Sequence, residues 1–417
     1  MNNLNDYVSL RNGEDYQRDN FDQFLKKSSF SFNIPSVHIS GSNGKGSTAN
    51  FIANILMKAG YKVGLFTSPS LIEINESISI NHKLISDGEI KNIIKDHEKL
   101  IKKYEISSFE LLTYIAFMHF LNNECDFCVI ECGMGGMVDA TNIFTPCVSV
   151  ITSISLEHTA FLGRTISEIA EQKAGIIKDE IPVVIGDLNE EAVNVIASIA
   201  KEHESKLFPV SIPNNVRTIE DGVSFDYQIY KSLKIRNFAH YLVDDACIAI
   251  EAILALNGIA HVSEQNIYDG LFEETLPARL QIIHQNPFVI LDGSHNPEGC
   301  EKLAKSLVYL QNGRKIHIVF ACFKDKNLNN MLVALGEVAD SITLTTFPHV
   351  RAREFSDYFL FVEDYHFIEN CMDAIEKTIQ EHPDDITVIT GSLAFCGYIS
   401  NLIKNGEIDL ETHLSEI

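Results

Sequence analysis

The 417-residue chain contains no tryptophan, so ligand binding cannot be followed by intrinsic tryptophan fluorescence. It is also short of basic residues. Its 33 Lys and Arg stand against 57 Asp and Glu, a formal charge of −24. A surface this acidic has no electrostatic reason to wrap nucleic acid, so anionic ligands must be held by local donors. No uncharged run reaches the ~18 residues of a membrane span. The polar, acidic N-terminus has neither the basic segment nor the apolar core of a targeting signal. Repeats, low-complexity tracts and coiled-coil heptads are missing as well. The nine cysteines are an odd number, scattered from Cys125 to Cys396, which predicts a reducing, cytoplasmic environment. Cys125-Asp-Phe-Cys128 has no second pair to complete a zinc site and borders an apolar run, so both thiols read as buried in a strand.

What is present is a globular composition, with 45% hydrophobic residues. The length predicts two domains at roughly 100–200 residues each. The chain is organised around residues 37–48, where a β-branched run enters Gly41-Ser42-Asn43-Gly44-Lys45-Gly46-Ser47-Thr48 and an apolar-periodic segment follows. Glycines let several backbone N–H groups converge on one anion, and a helix start adds its positive end. Lys45 brings a mobile charge for phosphates, and Ser47 or Thr48 a hydroxyl for Mg²⁺.

Strands and helices alternate beyond the cradle, which predicts a mainly parallel sheet in an α/β fold. Strands are expected at 62–67, 127–131, 148–152 and 183–185. A small antiparallel β patch is expected within 206–238. A second α/β alternation begins near Pro287, with strands at 288–292, 316–320, 342–345 and 386–389. The loop at 286–287 reads as the hinge, giving domains 1–286 and 287–417.

Candidate chemical residues gather at the C-terminal ends of these strands, where open α/β sheets bind ligands. Ser68 follows the second strand. Glu131 ends a buried strand before Gly133, Gly135 and Gly136, a natural place for a Mg²⁺ ligand. Asp139, Thr141 and Asn142 place a carboxylate, a hydroxyl and an amide in one loop, suited to a polar organic ligand. Glu157-His158 follows another strand, where His158 suits a metal. Lys173 by itself reads as a surface lysine. Arg279 lies at the domain junction and could reach phosphates. Asp292-Gly293-Ser294-His295-Asn296 and Gly391-Ser392 follow strands of the second domain, which is expected to face the cradle across a cleft.

Together these segments resemble folylpolyglutamate synthase/dihydrofolate synthase, a branch of the Mur-ligase-like, ADP-forming amide ligases. The family's G-T-N-G-K-G-S corresponds to Gly41–Ser47, and its T-S-P to Thr67-Ser68-Pro69. Its E-x-G-x-G-G-R-x-D-A-T-N corresponds to Glu131–Asn142, and its D-H-x-x-x-L-G to Glu157–Gly163. Its E-K-A-G-I corresponds to Gln172–Ile176, its L-P-G-R-x-Q to Leu276–Gln281, and its D-G-A-H-N-P to Asp292–Pro297. The resemblance implies an N-terminal P-loop ATPase domain and a smaller C-terminal Rossmann-like domain. It implies ligation of L-glutamate to a folate carboxylate through an acyl phosphate. ATP would be bound by Asn43 to Thr48, Asp245, Arg279 and Asp292, and magnesium, at two sites, by Ser68, Glu131 and His158. A monovalent cation and a carbamylated Lys173 are also implied. Asp139 and Thr141 would lie on the pteridine side, and His295 and Ser392 on the glutamate side. Lys45, His158, Lys173 and Arg279 carry the expected catalysis. The partners implied are small molecules (folate, glutamate, ATP), not nucleic acid or membrane, and the enzyme is expected to be a monomer.

The chain departs from the family at Ser70, Ser77 and Met137, which stand where a histidine and two arginines occur. Asp245 stands in place of an asparagine, which loses an NH₂ donor. Fewer cations should weaken recognition of an anionic substrate. The expectation is therefore that glutamate extension is retained and dihydropteroate activity is weak or absent. Two alternatives stay open: a ligase of the same architecture acting on another carboxylate, and a nucleotide-binding module without ligase chemistry.

Overall fold

The computed structural model describes residues 18–273, 276–361, 365–408 and 410. The chain divides into two compact units. The first holds residues 1–214, 226–233 and 244–274, and the second holds 215–225, 234–243 and 275–417.

The first unit is built on an eight-stranded sheet. Its strands are β1 (Ser36–Ser40), β2 (Val63–Phe66), β3 (Ile78–Ile80), β4 (Lys83–Leu84), β5 (Phe127–Glu131), β6 (Val148–Ile151), β7 (Val183–Ile185) and β8 (Leu207–Pro209). Their order is β4-β3-β2-β5-β1-β6-β7-β8. Every pairing from β2 to β8 is parallel. The expected parallel sheet is therefore present, and β1 lies at its centre. Strands β1, β5 and β6 are buried along their whole length, which is why they read as continuous apolar runs. The short hairpin β3–β4 adds an antiparallel edge. Leu207–Pro209, expected within the antiparallel patch, is instead the parallel edge strand β8.

Helices pack on both faces. Helix Asp19–Lys27 buries Phe21, Phe24 and Leu25 in a cluster with Tyr114, Phe117 and Phe120 of helix Ser108–Asn122. The expected entry helix is thus present, while residues 1–17 lie outside the described residues. A second cluster joins Ile151, Val183 and Ile185 to Ile169, Ile196 and their neighbours. Cys125 and Cys128 are both buried, as expected, and all nine cysteines are free thiols, with only Cys147 partly exposed.

A three-stranded sheet, β9 (Asn214–Ile219), β10 (Gly222–Tyr227) and β11 (Tyr230–Ile235), has β10 in the middle. The second unit is built on β12 (Gln281–Gln285), β13 (Phe288–Leu291), β14 (Ile316–Phe320), β15 (Ser341–Thr346), β16 (His366–Asn370) and β17 (Ile386–Thr390). Their order is β12-β13-β17-β14-β15-β16. All pairings are parallel except β12 with β13. Strand β12 was not expected. It places residues 286–287, the expected hinge, in the turn of a hairpin inside the second unit. Among the described residues, no helix is long and apolar enough to cross a membrane.

Candidate active site

The loop after β1 is held open by its neighbours rather than by its own side chains. The Ser42 N–H donates to Ser153 O at 2.8 Å, and the Asn43 N–H to Ser153 Oγ at 2.8 Å. Thr152 Oγ1 donates to Asn43 O at 2.6 Å, and the Ser155 N–H to Ser42 Oγ at 2.9 Å. The segment after β6 therefore shapes the loop after β1. Helix Lys45–Lys58 then starts from Gly44, at φ 82°, with no capping side chain and no acid in its first turn. Such a start leaves positive N–H groups for an anion. A Cβ on Gly44 would lie 2.2 Å from Asp245 Oδ1, so Asp245 abuts the cradle. We expect Gly44→Ala to cost about 1–2 kcal/mol of stability from left-handed strain alone, plus displacement of Asp245. Urea unfolding of the two proteins measures it.

Two cations converge on this loop. Lys45 Nζ donates to Gly41 O at 2.9 Å and Ser42 O at 3.2 Å. Lys173 Nζ donates to the same Gly41 O at 2.8 Å and to Glu157 Oε1 at 2.9 Å. The reading of Lys173 as a surface lysine is overturned, because it is only 1% exposed. It ends helix Ile166–Ala174, which a Thr165/Glu168 capping box starts. Burial pushes the Lys173 ammonium down, against the pull of Glu157. Burial also pushes the Glu157 carboxyl up, but Lys173 and Lys45 outweigh it and bring it down to about 2. Both directions are compatible with an ion pair, and the geometry carries that assignment. The pair was missed in the sequence because a lysine at a helix end gives no local sign of burial.

Glu131 is not an edge carboxylate in water, since it is 4% exposed. Its Oε2 accepts the Ser68 N–H at 3.0 Å and lies 3.3 Å from where a Gly46 Cβ would be. Ser68, Glu131 and the first turn of the cradle helix are thus brought together. His158 is exposed, has φ 47° and adjoins Glu157 in sequence. Ser40 Oγ donates to Gly135 O at 2.6 Å, which joins the glycine loop after β5 to the end of β1.

Asp139 and Thr141, expected to face a ligand, spend polar atoms on their own loop. Asp139 accepts the Met134 N–H at 2.9 Å, the Thr141 N–H at 2.9 Å and Thr141 Oγ1 at 2.6 Å. Burial nevertheless raises its pKa. Thr141 Oγ1 lies 2.8 Å from His38 Nε2. Burial, with some help from Lys178, brings His38 down to about 3, so His38 is neutral. Arg18 donates to Asp139 O at 3.2 Å and Asn142 O at 2.6 Å, and Lys178 to Asn142 Oδ1 at 2.7 Å. His38, Arg18 and Lys178 carried no sequence signal, because each acts through a partner far along the chain.

In the second unit, the loops after the adjacent parallel strands β13 and β17 hold the expected residues. Asp292 is fully buried. Its Oδ2 accepts Tyr241 OH at 2.7 Å and the Leu280 N–H at 2.8 Å. Its Oδ1 accepts the Ser294 N–H at 2.9 Å and Ser294 Oγ at 2.6 Å. As placed, Asp292 ties three segments together rather than presenting an oxygen to a nucleotide. One of them carries Arg279, whose Nη1 lies 3.4 Å from a Cβ built on Gly293. His295 Nδ1 lies 3.0 Å from Gly293 O. Ser392 is the N-cap residue of helix Leu393–Lys404.

Comparison with known proteins agrees with this geometry. Residues 39–252 match the Mur ligase middle domain, and residues 278–393 match the Mur ligase, glutamate ligase domain. A dihydrofolate synthase/folylpolyglutamate synthase of Bacillus subtilis is 36% identical over 89% of this chain and 91% of that protein. A folylpolyglutamate synthase of Lacticaseibacillus casei is 32% identical over 89% of this chain and 90% of its own length. Among solved structures, an FPGS–AMPPCP–folate complex superposes with a TM-score of 0.85 at 28% identity, covering 96% of this chain and 97% of the other. The chain belongs to the Mur ligase family, in its folylpolyglutamate synthase/dihydrofolate synthase branch.

Proposed function

We propose that this protein uses ATP to join L-glutamate to the γ-carboxylate of a reduced folate, releasing ADP and phosphate. The observation that carries the reading is the cradle, an uncapped helix start with Lys45 folded over its loop and Glu131 buried beside it with Ser68. A folate carboxylate oxygen attacks the γ-phosphorus of ATP and expels ADP, leaving an acyl phosphate. The glutamate amine then attacks the acyl carbon, gives up its proton and expels phosphate. Lys45 and the N–H groups of the cradle hold phosphoryl oxygens as charge builds on them. Arg279 supplies a second cation from the other unit. Ser68, Glu131 and His158 offer a hydroxyl, a carboxylate and an imidazole. The two oxygens suit Mg²⁺, which when bound neutralises phosphoryl charge. His295 and Ser392, at neighbouring strand ends, would bind the amino acid.

As an ammonium, Lys173 donates to Gly41 O and Glu157. A carbamate there would turn a donor into an acceptor beside Glu157, an arrangement that requires bound cations. On this reading, carbamylation follows metal binding. The enzyme is read as a cytoplasmic monomer acting on small molecules.

Selectivity follows from the missing cations. Met137 is 40% exposed and Ser77 is buried, so neither position offers a charge to an anionic acceptor. The test is ADP release from ATP, Mg²⁺ and L-glutamate with tetrahydrofolate, dihydropteroate or no acceptor. We expect release with tetrahydrofolate and at least about tenfold less with dihydropteroate, a difference of about 1.4 kcal/mol. Equal rates would overturn the selectivity and make the enzyme bifunctional. Release with neither would overturn the choice of acceptor and point to another carboxylate.

A further inference from the structure

The second unit carries a group of metal-ligating side chains that the proposed reaction does not use. His317 lies on β14, His382 follows helix Cys371–Glu381, and Asp385 precedes β17. One ligand atom from each lies within 4.8 Å of the other two, and among the described residues no other such group of His, Cys, Asp or Glu occurs.

The second atom of two of these groups is already oriented. His317 Nδ1 is 2.8 Å from Ser341 Oγ, and His317 Nε2 is 3.2 Å from Asp385 Oδ2. Asp385 Oδ1 accepts the Lys315 N–H at 3.0 Å. Without an ion, the neutral ring satisfies both neighbours by donating from Nε2 to Asp385 and accepting the Ser341 hydroxyl at Nδ1. With an ion, the proton moves to Nδ1, the hydroxyl rotates to accept it, and Nε2 and Oδ2 both face the metal. A hydroxyl can serve either way, and a histidine whose far nitrogen is hydrogen-bonded is the usual metal-ligand arrangement. His317 is buried, and burial lowers its pKa, which favours the neutral, ligating form.

We propose that His317, His382 and Asp385 bind one zinc-class divalent ion, which pins the turn before β17 to β14. Two imidazoles and a carboxylate suit zinc, leaving a fourth position for water. Magnesium, which prefers oxygen ligands, would not compete well. The His317 and His382 rings now stack with centroids 3.6 Å apart and planes 3° apart. Lone pairs lie in the ring planes, so His382 must turn out of the stack to complete the site. It is partly exposed at the end of its helix, which leaves it room to do so. The site lies at the N-terminal ends of β14 and β17. The 292–297 and 391–393 loops follow the C-terminal ends of the same sheet, a strand length of about 16 Å away. Its role is therefore structural.

The test uses the full chain, stripped with chelator and exchanged into buffer without nucleotide or magnesium. Zinc chloride is titrated against a chromogenic zinc indicator, and thermal unfolding is followed alongside. We expect one tight equivalent and a saturable rise in Tm in the parent protein. We expect zinc affinity to fall at least about tenfold in both His382→Ala and Asp385→Asn. The asparagine keeps an acceptor for the Lys315 N–H, and the alanine removes only a partly exposed ring, so the two variants fail to fold for different reasons if at all. Thiols are common to all three proteins and cancel in the comparison. Equal zinc affinity in the three proteins, or no saturable equivalent in the parent, overturns the proposal.

Discussion

Lys45→Ala is expected to lower kcat for ADP release by about 10²–10³, the cost of losing one charged group aimed at a developing anion. The fold should survive. The Lys45 Nζ bonds two carbonyl oxygens of its own loop, and the loop is independently braced by Thr152, Ser153 and Ser155. Far-ultraviolet circular dichroism should match the parent while ADP release with saturating tetrahydrofolate collapses. Lys45→Arg should not restore the rate, because the wider guanidinium must fit where Gly41 and Ser42 leave room for an ammonium. A Lys45→Ala rate within tenfold of the parent would show that the cradle's backbone N–H groups alone carry the charge.

The second large effect is on stability. Lys173→Met removes the cation 2.9 Å from a buried carboxylate. Breaking a buried pair by deleting one partner costs about 3–5 kcal/mol, because the remaining charge is left uncompensated. Lys45 also pulls the Glu157 carboxyl down, so a value near the lower end is expected. Removing both charges in Lys173→Met/Glu157→Gln should recover most of the loss, since no bare carboxylate remains. Urea unfolding of the two single variants, the double variant and the parent closes the cycle. A double variant no more stable than Lys173→Met would mean that packing, not charge, is what Lys173 supplies.

The parts of the fold that were legible are those whose own residues decide them. Phe127–Glu131, Val183–Ile185 and Ile316–Phe320 match their expected bounds because each is a buried run flanked by turn residues. The cradle, Ser68, Glu131 and the 292–297 loop were legible for the same reason, as short motifs after strands. The unexpected strands lie at sheet edges. Strand β4 is two exposed residues, and β16 is half exposed with a register shift against β15. Edge strands take their pairing from a neighbour rather than from their own pattern. The same holds for site residues. Asp292 resembles a ligand-facing acid until Tyr241 and Leu280 are seen to use its second oxygen. His38 is one more residue of an apolar strand until Thr141 is placed beside it.

The cysteines have a practical consequence. Eight of the nine are buried and none is paired. They fall in both units, Cys125, Cys128, Cys132 and Cys247 in the first and Cys300, Cys322, Cys371 and Cys396 in the second. A thiol enclosed in a core reacts with an alkylating reagent only when its surroundings open. The order in which these sulfurs become labelled, read peptide by peptide in a mass spectrometer, is therefore a built-in clock for the opening of each unit. It provides the optical silence of a tryptophan-free chain with an internal reporter, without a single added probe.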